Sequence, residues 1–190
     1  MTSWSVPPSI IELTRRRWLL PALTALHRGT PARLSALVTA LGASRGGVVE
    51  AIVTMIDLGL LVRTLPPRHP LQPEFVLTPP GVCLAAVADA LARAADALAV
   101  APLLRTRWAL PVIASLEEPM RYGALRRALP AVTDRALALA LAGLVEAQLV
   151  RRDVFPVLRP PATCYSLLPH SYPLATILHH SPLGQSPASG

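Results

Sequence analysis

Lysine is absent from this 190-residue chain, and aromatic residues and cysteines are scarce. All 18 basic side chains are therefore arginines, and against 11 acidic residues they leave a net charge of +7. Arginine presents a planar fork of donors that fits phosphates and guanine edges. The charge balance therefore favours a polyanionic partner, although charge alone does not identify it.

The scarcity of reactive side chains argues against several function classes. Only Cys83 and Cys164 occur, and neither they nor the five histidines follow the spacing of a metal site. We interpret the cysteines as half-buried thiols in a reducing compartment, and their pairing stays open. The chain has no Ser/His/Asp set, no paired carboxylates and no glycine-rich phosphate loop at a meaningful spacing. We therefore expect no enzyme, no metal and no cofactor.

Long apolar runs without charge are also missing. The first apolar run, from Val6, contains two prolines and Glu12, so we do not expect a signal peptide. The apolar stretch 82–100 contains three charged residues and is not expected to cross a bilayer. These patterns predict a cytoplasmic protein with no membrane partner.

The most informative pattern is an internal repeat. Residues 17–21 (RWLLP) return 90 residues later as 107–111 (RWALP), and residues 61–63 (LVR) return 88 residues later as 149–151. A period near 89 residues is too long for a solenoid repeat and suits a small domain. We therefore predict two related domains that pack together, at 8–101 and 102–178, followed by a flexible tail at 179–190.

A composition rich in Leu, Ala and Val favours helices. In the first half we predict helices at 8–28, with a kink or break near Trp18 caused by Pro21, and from Thr30-Pro31 to 42. A further helix follows the cap Ser44 to about residue 58, strands cover 60–65 and 74–77, and Thr78-Pro79 starts a long helix. In the second half the predicted helices are 103–116, 120–129, 133–147 and 172–178, and the predicted strands are 149–155 and 163–168.

Three helices followed by a hairpin form the order of a winged helix-turn-helix, in which the hairpin is the wing. The turns are the short links 41–43 and 129–132, and Trp18 and Trp108 are expected to anchor the core. The sequence therefore predicts a mainly α fold with small β-hairpins (α+β). We expect two tandem winged helix-turn-helix domains that form a pseudo-dimer.

The second half contains an ordered set of motifs, namely 107–113 (RWALPVI), 119–122 (PMRY), Thr133 before the third helix, and the strand 149–152 leading to a proline-rich wing. This set resembles the HxlR-type winged-helix transcriptional regulators, relatives of the MarR group. In the first half, 77–81 (LTPPG) resembles the family's strand-to-helix junction. The resemblance implies DNA binding by a dimer of such domains, here within one chain. No cysteine lies near either Trp, which argues against thiol sensing.

Residues at the start of a recognition helix are the ones that contact base edges. Arg45 and Arg135 are the candidates for guanine, Gly46 permits close backbone approach, and Asp134 either accepts from a cytosine amino group or orients Arg135. Ser44 and Thr133 are expected to cap their helices as well. The predicted phosphate and wing contacts are Arg33, Arg63, Arg68, His69, Arg121, Arg126, Arg127, Arg151, Arg152 and Arg159.

The principal prediction is a sequence-specific transcriptional regulator that places two recognition helices in successive major grooves of double-stranded DNA, about 34 Å apart. Because the two helices differ, the expected site is asymmetric. A tandem winged-helix scaffold that binds protein is the alternative, favoured by the Ala- and Leu-rich second recognition helix and opposed by the charge. A homodimer through terminal and linker helices and a small apolar effector between the halves also stay open.

Overall fold

The computed structural model of the chain describes residues 8–64, 74–155 and 162–181, and over these ranges it is mainly helical with two small antiparallel sheets. The predicted α+β class is confirmed. The helices are α1 (Pro8–Leu13), α2 (Leu19–His27), α3 (Leu34–Leu41), α4 (Arg45–Asp57), α5 (Pro79–Ala97), α6 (Ala109–Ser115), α7 (Tyr122–Ala128), α8 (Asp134–Glu146) and α9 (Tyr172–His180). The strands are β1 (Leu61–Thr64), β2 (Glu74–Leu77), β3 (Met120–Arg121), β4 (Val150–Phe155) and β5 (Ala162–Leu167). Short 3₁₀ segments lie at Ala101–Arg105 and Pro169–Ser171.

The same order of elements occurs in both halves of the chain. In the first half α2, α3, α4, β1, β2 and α5 follow one another, and in the second half α6, α7, α8, β4, β5 and α9 do so. Both α4 and α8 contain 13 residues and begin after a hydroxyl cap. Ser44 Oγ accepts from the Gly47 amide, and Thr133 Oγ1 accepts from the Ala136 amide, each at 3.3 Å. The two predicted helix caps are confirmed.

Hydrogen bonds at the ends of α4 and α8 fix the register between the halves. The Leu60 amide donates to Met55 O at 2.8 Å, and the Leu149 amide donates to Leu144 O at 2.9 Å. Leu60 therefore corresponds to Leu149, and Arg63 corresponds to Arg152, not to Arg151 as the repeated LVR suggested. A shift of one residue matters because it moves a strand side chain to the opposite face.

Three predicted helix boundaries are wrong, and each has a local cause. α3 begins at Leu34 because the Phe75 amide of β2 bonds Ala32 O at 2.9 Å and holds the preceding chain extended. Met120–Arg121 form a strand on β5, so α7 begins only at Tyr122. The predicted helix at 103–116 is instead a 3₁₀ segment followed by α6.

The predicted break near Trp18 is confirmed, since α1 ends at Leu13 and α2 begins at Leu19. Pro21 then lies in the first turn of α2, where its missing amide hydrogen costs no helical bond. At the other end of the chain, α9 continues to His180, two residues into the predicted tail. The rest of that tail, 182–190, lies outside the described residues.

One hydrophobic core extends through both halves. Leu23 of α2, Leu91 of α5, Val112 of α6 and Leu174 of α9 all belong to it and are at most 1% exposed. Along the chain, α2 packs on α5, and α5 packs on α9. Among the described residues no single helix is long and apolar enough to cross a membrane; α3 and α4 reach that composition only as a pair bent by 119°.

A buried carboxylate joins α5 to α2. Asp89 accepts from Arg28 Nε at 2.6 Å and pairs with Arg93 Nε at 3.2 Å. The hydrogen bond from Arg28 holds the pKa of the Asp89 carboxyl below its usual value. The ionised carboxylate therefore stabilises the packing of these two helices.

We expect Asp89→Asn to lower the melting temperature at pH 7. Between pH 7 and pH 3, the melting temperature of this variant should then fall by less than that of wild type. A carboxyl whose pKa is lowered by folding contributes fully above the unfolded pKa, about 3.9, and loses that contribution as pH falls through the folded pKa. Thermal unfolding followed by circular dichroism measures both effects. Asp96→Asn, at an exposed position of the same helix, is the control, and an unchanged pH dependence in Asp89→Asn contradicts the assignment.

Candidate nucleic-acid interface

The first turn of α8 presents exposed polar residues, Asp134 and Arg135. Leu137, Leu141 and Leu144 anchor this helix in the core, so its opposite face and its N-terminus lie at the surface. Arg135 is exposed and forms no hydrogen bond or ion pair with any described residue. Its guanidinium is therefore available to a partner.

A polar contact fastens α7 to the start of α8. Tyr122 donates its hydroxyl to Asp134 O at 3.0 Å, and Arg126 Nε pairs with Asp134 Oδ1 at 3.2 Å. Burial, together with the Asp134 carboxylate, raises the pKa of the Tyr122 phenol, so the hydroxyl keeps the proton that it donates. The structure thus pairs Asp134 with Arg126 rather than with Arg135. This contact fixes the position of α8 against the preceding turn.

We expect Asp134→Ala to raise the affinity for non-specific duplex roughly threefold at low salt, because it removes a negative charge and releases Arg126 toward a phosphate. The salt dependence should steepen by about 0.9 in the slope of log K against log salt for one added phosphate contact. Fluorescence anisotropy over a salt series measures both quantities. Glu146→Ala, at the opposite end of α8, changes the charge equally and should have a smaller effect. Equal effects of the two variants would speak against the Asp134–Arg126 contact as the cause.

The first turn of α4 differs from that of α8. By the register of the two halves, Asp134 stands where the first half has Arg45, and Arg135 stands where it has Gly46. Arg45 is exposed and unpaired among the described residues. A Cβ on Gly46 would meet no atom of the described residues within 4 Å, so no contact with them explains this glycine.

Gly47, by contrast, makes room for a tryptophan. A Cβ at this position would lie 2.7 Å from Trp18 Cδ1. The Trp18 ring also carries the Arg17 and Arg105 guanidinium groups, at 5.3 and 5.1 Å from its centroid. In the second half, Arg107 lies 4.9 Å from the centroid of Trp108, which is 8% exposed. Trp108 is thus a core residue, and Trp18 is a half-buried one.

The predicted phosphate and wing residues fall into three groups. Four are unpaired among the described residues, namely Arg63, Arg121, Arg127 and Arg152. Three form ion pairs, namely Arg33 with Glu74, Arg126 with Asp134 and Arg151 with Asp153. Arg68, His69 and Arg159 lie outside the described residues.

The unpaired arginines are unevenly distributed between the halves. Arg33 and Arg121 occupy equivalent places, each immediately before α3 or α7. Glu74 neutralises Arg33, whereas Cys164 lies opposite Arg121 in the β3–β5 ladder. Among the candidate contacts that the structure describes, the second half therefore has four unpaired arginines and the first half has two. These are Arg121, Arg127, Arg135 and Arg152 in the second half, and Arg45 and Arg63 in the first.

Sequence reasoning missed the residues that hold or neutralise these arginines. Tyr122, Glu74 and Asp153 were not among the predicted site residues, and neither was Glu50, which pairs with Arg16 at 3.1 Å. An aromatic residue at the first position of α7 was a signal for the Tyr122 contact. The Arg33–Glu74 pair joins residues 41 positions apart and left no local signal.

Comparisons with known proteins give two findings. A crystal structure from Porphyromonas gingivalis W83, of a protein assigned to the MarR family of transcriptional regulators, is 28% identical, covers 40% of this chain and 74% of its own, and has a TM-score of 0.38. No curated protein matches the chain. The family model of HxlR-like helix-turn-helix proteins matches residues 103–181, so this part of the chain is similar to HxlR-like helix-turn-helix proteins.

Proposed function

We propose that the protein is a transcriptional regulator that binds a specific sequence in double-stranded DNA. The observation that carries the proposal is the unpaired Arg135, exposed in the first turn of α8 within an HxlR-like helix-turn-helix domain. Residues at this position of a recognition helix lie against base edges in the major groove. An arginine there forms two hydrogen bonds to guanine O6 and N7.

Three further arginines near α8, each suited to contact a DNA phosphate, support the same role. Arg121 and Arg127 flank the helix-turn-helix, Arg152 lies on the wing strand, and all three are exposed and unpaired among the described residues. Such arginines neutralise phosphates and fix the position of the recognition helix without discriminating between sequences. The four-arginine set, Arg121, Arg127, Arg135 and Arg152, thus supplies both affinity and specificity.

We further propose that the chain is a pseudo-dimer of two winged-helix domains, at 8–101 and from 102 onward. The packing supports this arrangement because each half contacts the other through equivalent elements. The N-terminal helix α1 contacts α6 of the other half, and the equivalent 3₁₀ segment 101–105 contacts α2. The helices that follow the two hairpins, α5 and α9, also pack on each other. Reciprocal contacts between equivalent elements are the property of a twofold interface.

In this arrangement α4 and α8 enter successive major grooves, and the half-site bound by α8 is the stronger one. Selection of bound duplexes from a random library, followed by hydroxyl-radical footprinting, tests the proposal. We expect one enriched sequence with two unequal protected tracts, centred about 10 base pairs apart. A single protected tract would reject the two-groove arrangement and keep DNA binding, and failure to enrich any sequence would reject both.

A groove among the helices of the first half supports the effector hypothesis. It has a volume of about 330 Å³ and is lined by α2, α3, α5 and the 3₁₀ segment, with Leu20, Leu41 and Leu104 among its apolar residues. It lies where the first half meets the linker to the second. A small apolar molecule bound there would alter the spacing of the two halves.

A protein-binding role is the second candidate, and one observation favours it. Val49, Val53 and Ile56 of α4 are 39%, 49% and 36% exposed, so the first recognition helix presents an apolar surface. Substituting Arg45 and Arg135 together by Ala discriminates between the candidates. A clear loss of DNA affinity would favour the regulator, and unchanged affinity would reject the model in which the two recognition helices contact DNA.

A further inference from the structure

The exposed side of α4 combines apolar and charged residues in one line. Arg45, Val49, Val53, Ile56 and Asp57 are all exposed and succeed one another at spacings that place them along one side of the helix. We name this surface the α4 stripe. Val48, Ala51, Ile52 and Met55 occupy the opposite side and are buried. The stripe is therefore a face without a partner among the described residues.

The second half provides an internal comparison for the stripe. At the positions equivalent to Val49 and Val53, α8 carries Ala138 and Ala142. The second half, which has more unpaired arginines, thus has smaller side chains on the face of α8 that is equivalent to the stripe. Among the described residues, α8 exposes one large apolar side chain, Leu139 at 65%, at the position equivalent to Glu50, so the line of valines along this face is what distinguishes α4.

The wing next to α4 shows the same difference. Val62 and Val76 lie opposite each other in the β1–β2 ladder and are 47% and 50% exposed. The equivalent pair in the second half is Arg151 and Ser166. The second wing exposes apolar side chains at other positions, Val154 and Phe155 (54% and 48%), so the valine pair distinguishes this position of the first wing and not the whole wing.

The charges at the two ends of the stripe identify the partner. Arg45 is the first residue of α4 and Asp57 is the last, and both are unpaired among the described residues. These charges oppose the helix dipole, which favours anions at the N-terminus and cations at the C-terminus. They are suited instead to a second helix of the same sequence that runs in the opposite direction.

We propose that the α4 stripe binds the α4 stripe of a second copy of this chain, antiparallel and across a twofold axis. Arg45 then faces the partner's Asp57, and Val49 faces the partner's Val53. Ile56 faces the partner's Gly46, whose missing side chain leaves space for it. Each contact occurs twice, because a twofold interface is self-complementary.

Self-association of this kind has a consequence for DNA. One face of α4 cannot hold a second chain and a major groove at the same time, so the dimer withdraws the first recognition helix and leaves α8 exposed. The proposal about the stripe does not rest on DNA binding. A measurement of oligomeric state tests it even if the proposed function fails.

Sedimentation velocity over a concentration series tests the pairing. A single helix pair is smaller than a standard interface, so we expect wild-type dimers with a dissociation constant of the order of micromolar. Arg45→Asp and Asp57→Arg should each raise this constant about tenfold or more, because each places like charges together at both ends. The double variant Arg45→Asp/Asp57→Arg should return to within about threefold of wild type, because it restores opposite charges.

Matched controls keep the result interpretable. A charge exchange between the two ends of α8, Arg135→Asp with Glu146→Arg, should leave the dimer unchanged, and circular dichroism must show that every variant is folded. Val53→Glu, in the centre of the stripe, should abolish dimers by an independent route. A monomeric wild type, dimers that resist the single reversals, or a double variant that stays monomeric would each overturn the proposal.

Discussion

Replacing Arg135 with alanine is expected to lower the affinity for the selected DNA site about 10- to 100-fold, which corresponds to about 1–3 kcal/mol for one bidentate contact with guanine. Binding to a scrambled duplex should fall much less, because one of several phosphate-neutralising charges is lost. Competition anisotropy with the two duplexes measures the ratio. The expected signature is therefore a loss of discrimination rather than a loss of binding.

Two further variants separate the contribution of geometry from that of charge. Arg135→Lys keeps the positive charge and loses the planar fork, so it should retain most non-specific affinity and still lose discrimination. Arg45→Ala should cost less than Arg135→Ala, because the first half keeps fewer unpaired arginines around its recognition helix. If wild type and Arg135→Ala discriminate equally between the selected and the scrambled duplex, Arg135 does not contact bases and the assignment of α8 as the base-contacting helix is wrong.

The second large effect concerns stability. Gly81 lies in the first turn of α5, where a Cβ would come within 2.0 Å of Leu60 O and 3.2 Å of Leu77 Cδ2. The Leu60 carbonyl is not free to move, since it accepts from the Thr78 amide at 3.0 Å. At the equivalent junction of the second half, the buried Ser171 hydroxyl donates to Leu149 O at 2.9 Å. In each half, therefore, the segment after the hairpin packs against the equivalent backbone carbonyl, which is Leu60 O in the first half and Leu149 O in the second.

We expect Gly81→Ala to destabilise the fold by about 3 kcal/mol, at the upper end of overpacking effects, because the clash is with backbone atoms. In a domain of this size each 1 kcal/mol lowers the melting temperature by about 2–4 °C, so the shift should be about 6–12 °C. Differential scanning calorimetry measures it. Gly143→Ala on α8, where a Cβ meets nothing within 4 Å, is the control and should stabilise by about 0.8–1 kcal/mol. A Gly81→Ala protein as stable as wild type would contradict the described junction.

Local features of the fold were predictable from sequence. The caps Ser44, Thr133 and Thr78 were identified because a hydroxyl before a helix satisfies an amide only three residues away. The break before α2 was identified because Pro21 restricts the backbone next to it. These signals depend on neighbouring residues and need no tertiary information.

Features that depend on distant residues were not predictable. Met120–Arg121 form a strand because they pair with Tyr165 and Cys164, far along the chain. Arg33 and Arg126 looked equal to Arg121 and Arg127 as phosphate contacts, and only the structure separates the paired from the unpaired. The repeated LVR aligned Arg63 with Arg151, whereas the structure makes Arg63 equivalent to Arg152. The difference arises because β4 begins at Val150, one position later than the repeat implies.

One measurement tests the central claim most directly, namely anisotropy of the wild-type chain on the selected duplex and on its scrambled counterpart at about 150 mM salt, where exposed charges are screened beyond about 8 Å. For a sequence-specific regulator we expect the selected duplex to be preferred by about a thousandfold or more. Equal affinity for both duplexes, with the same steep salt dependence, would reduce the protein to a non-specific basic surface and contradict the account.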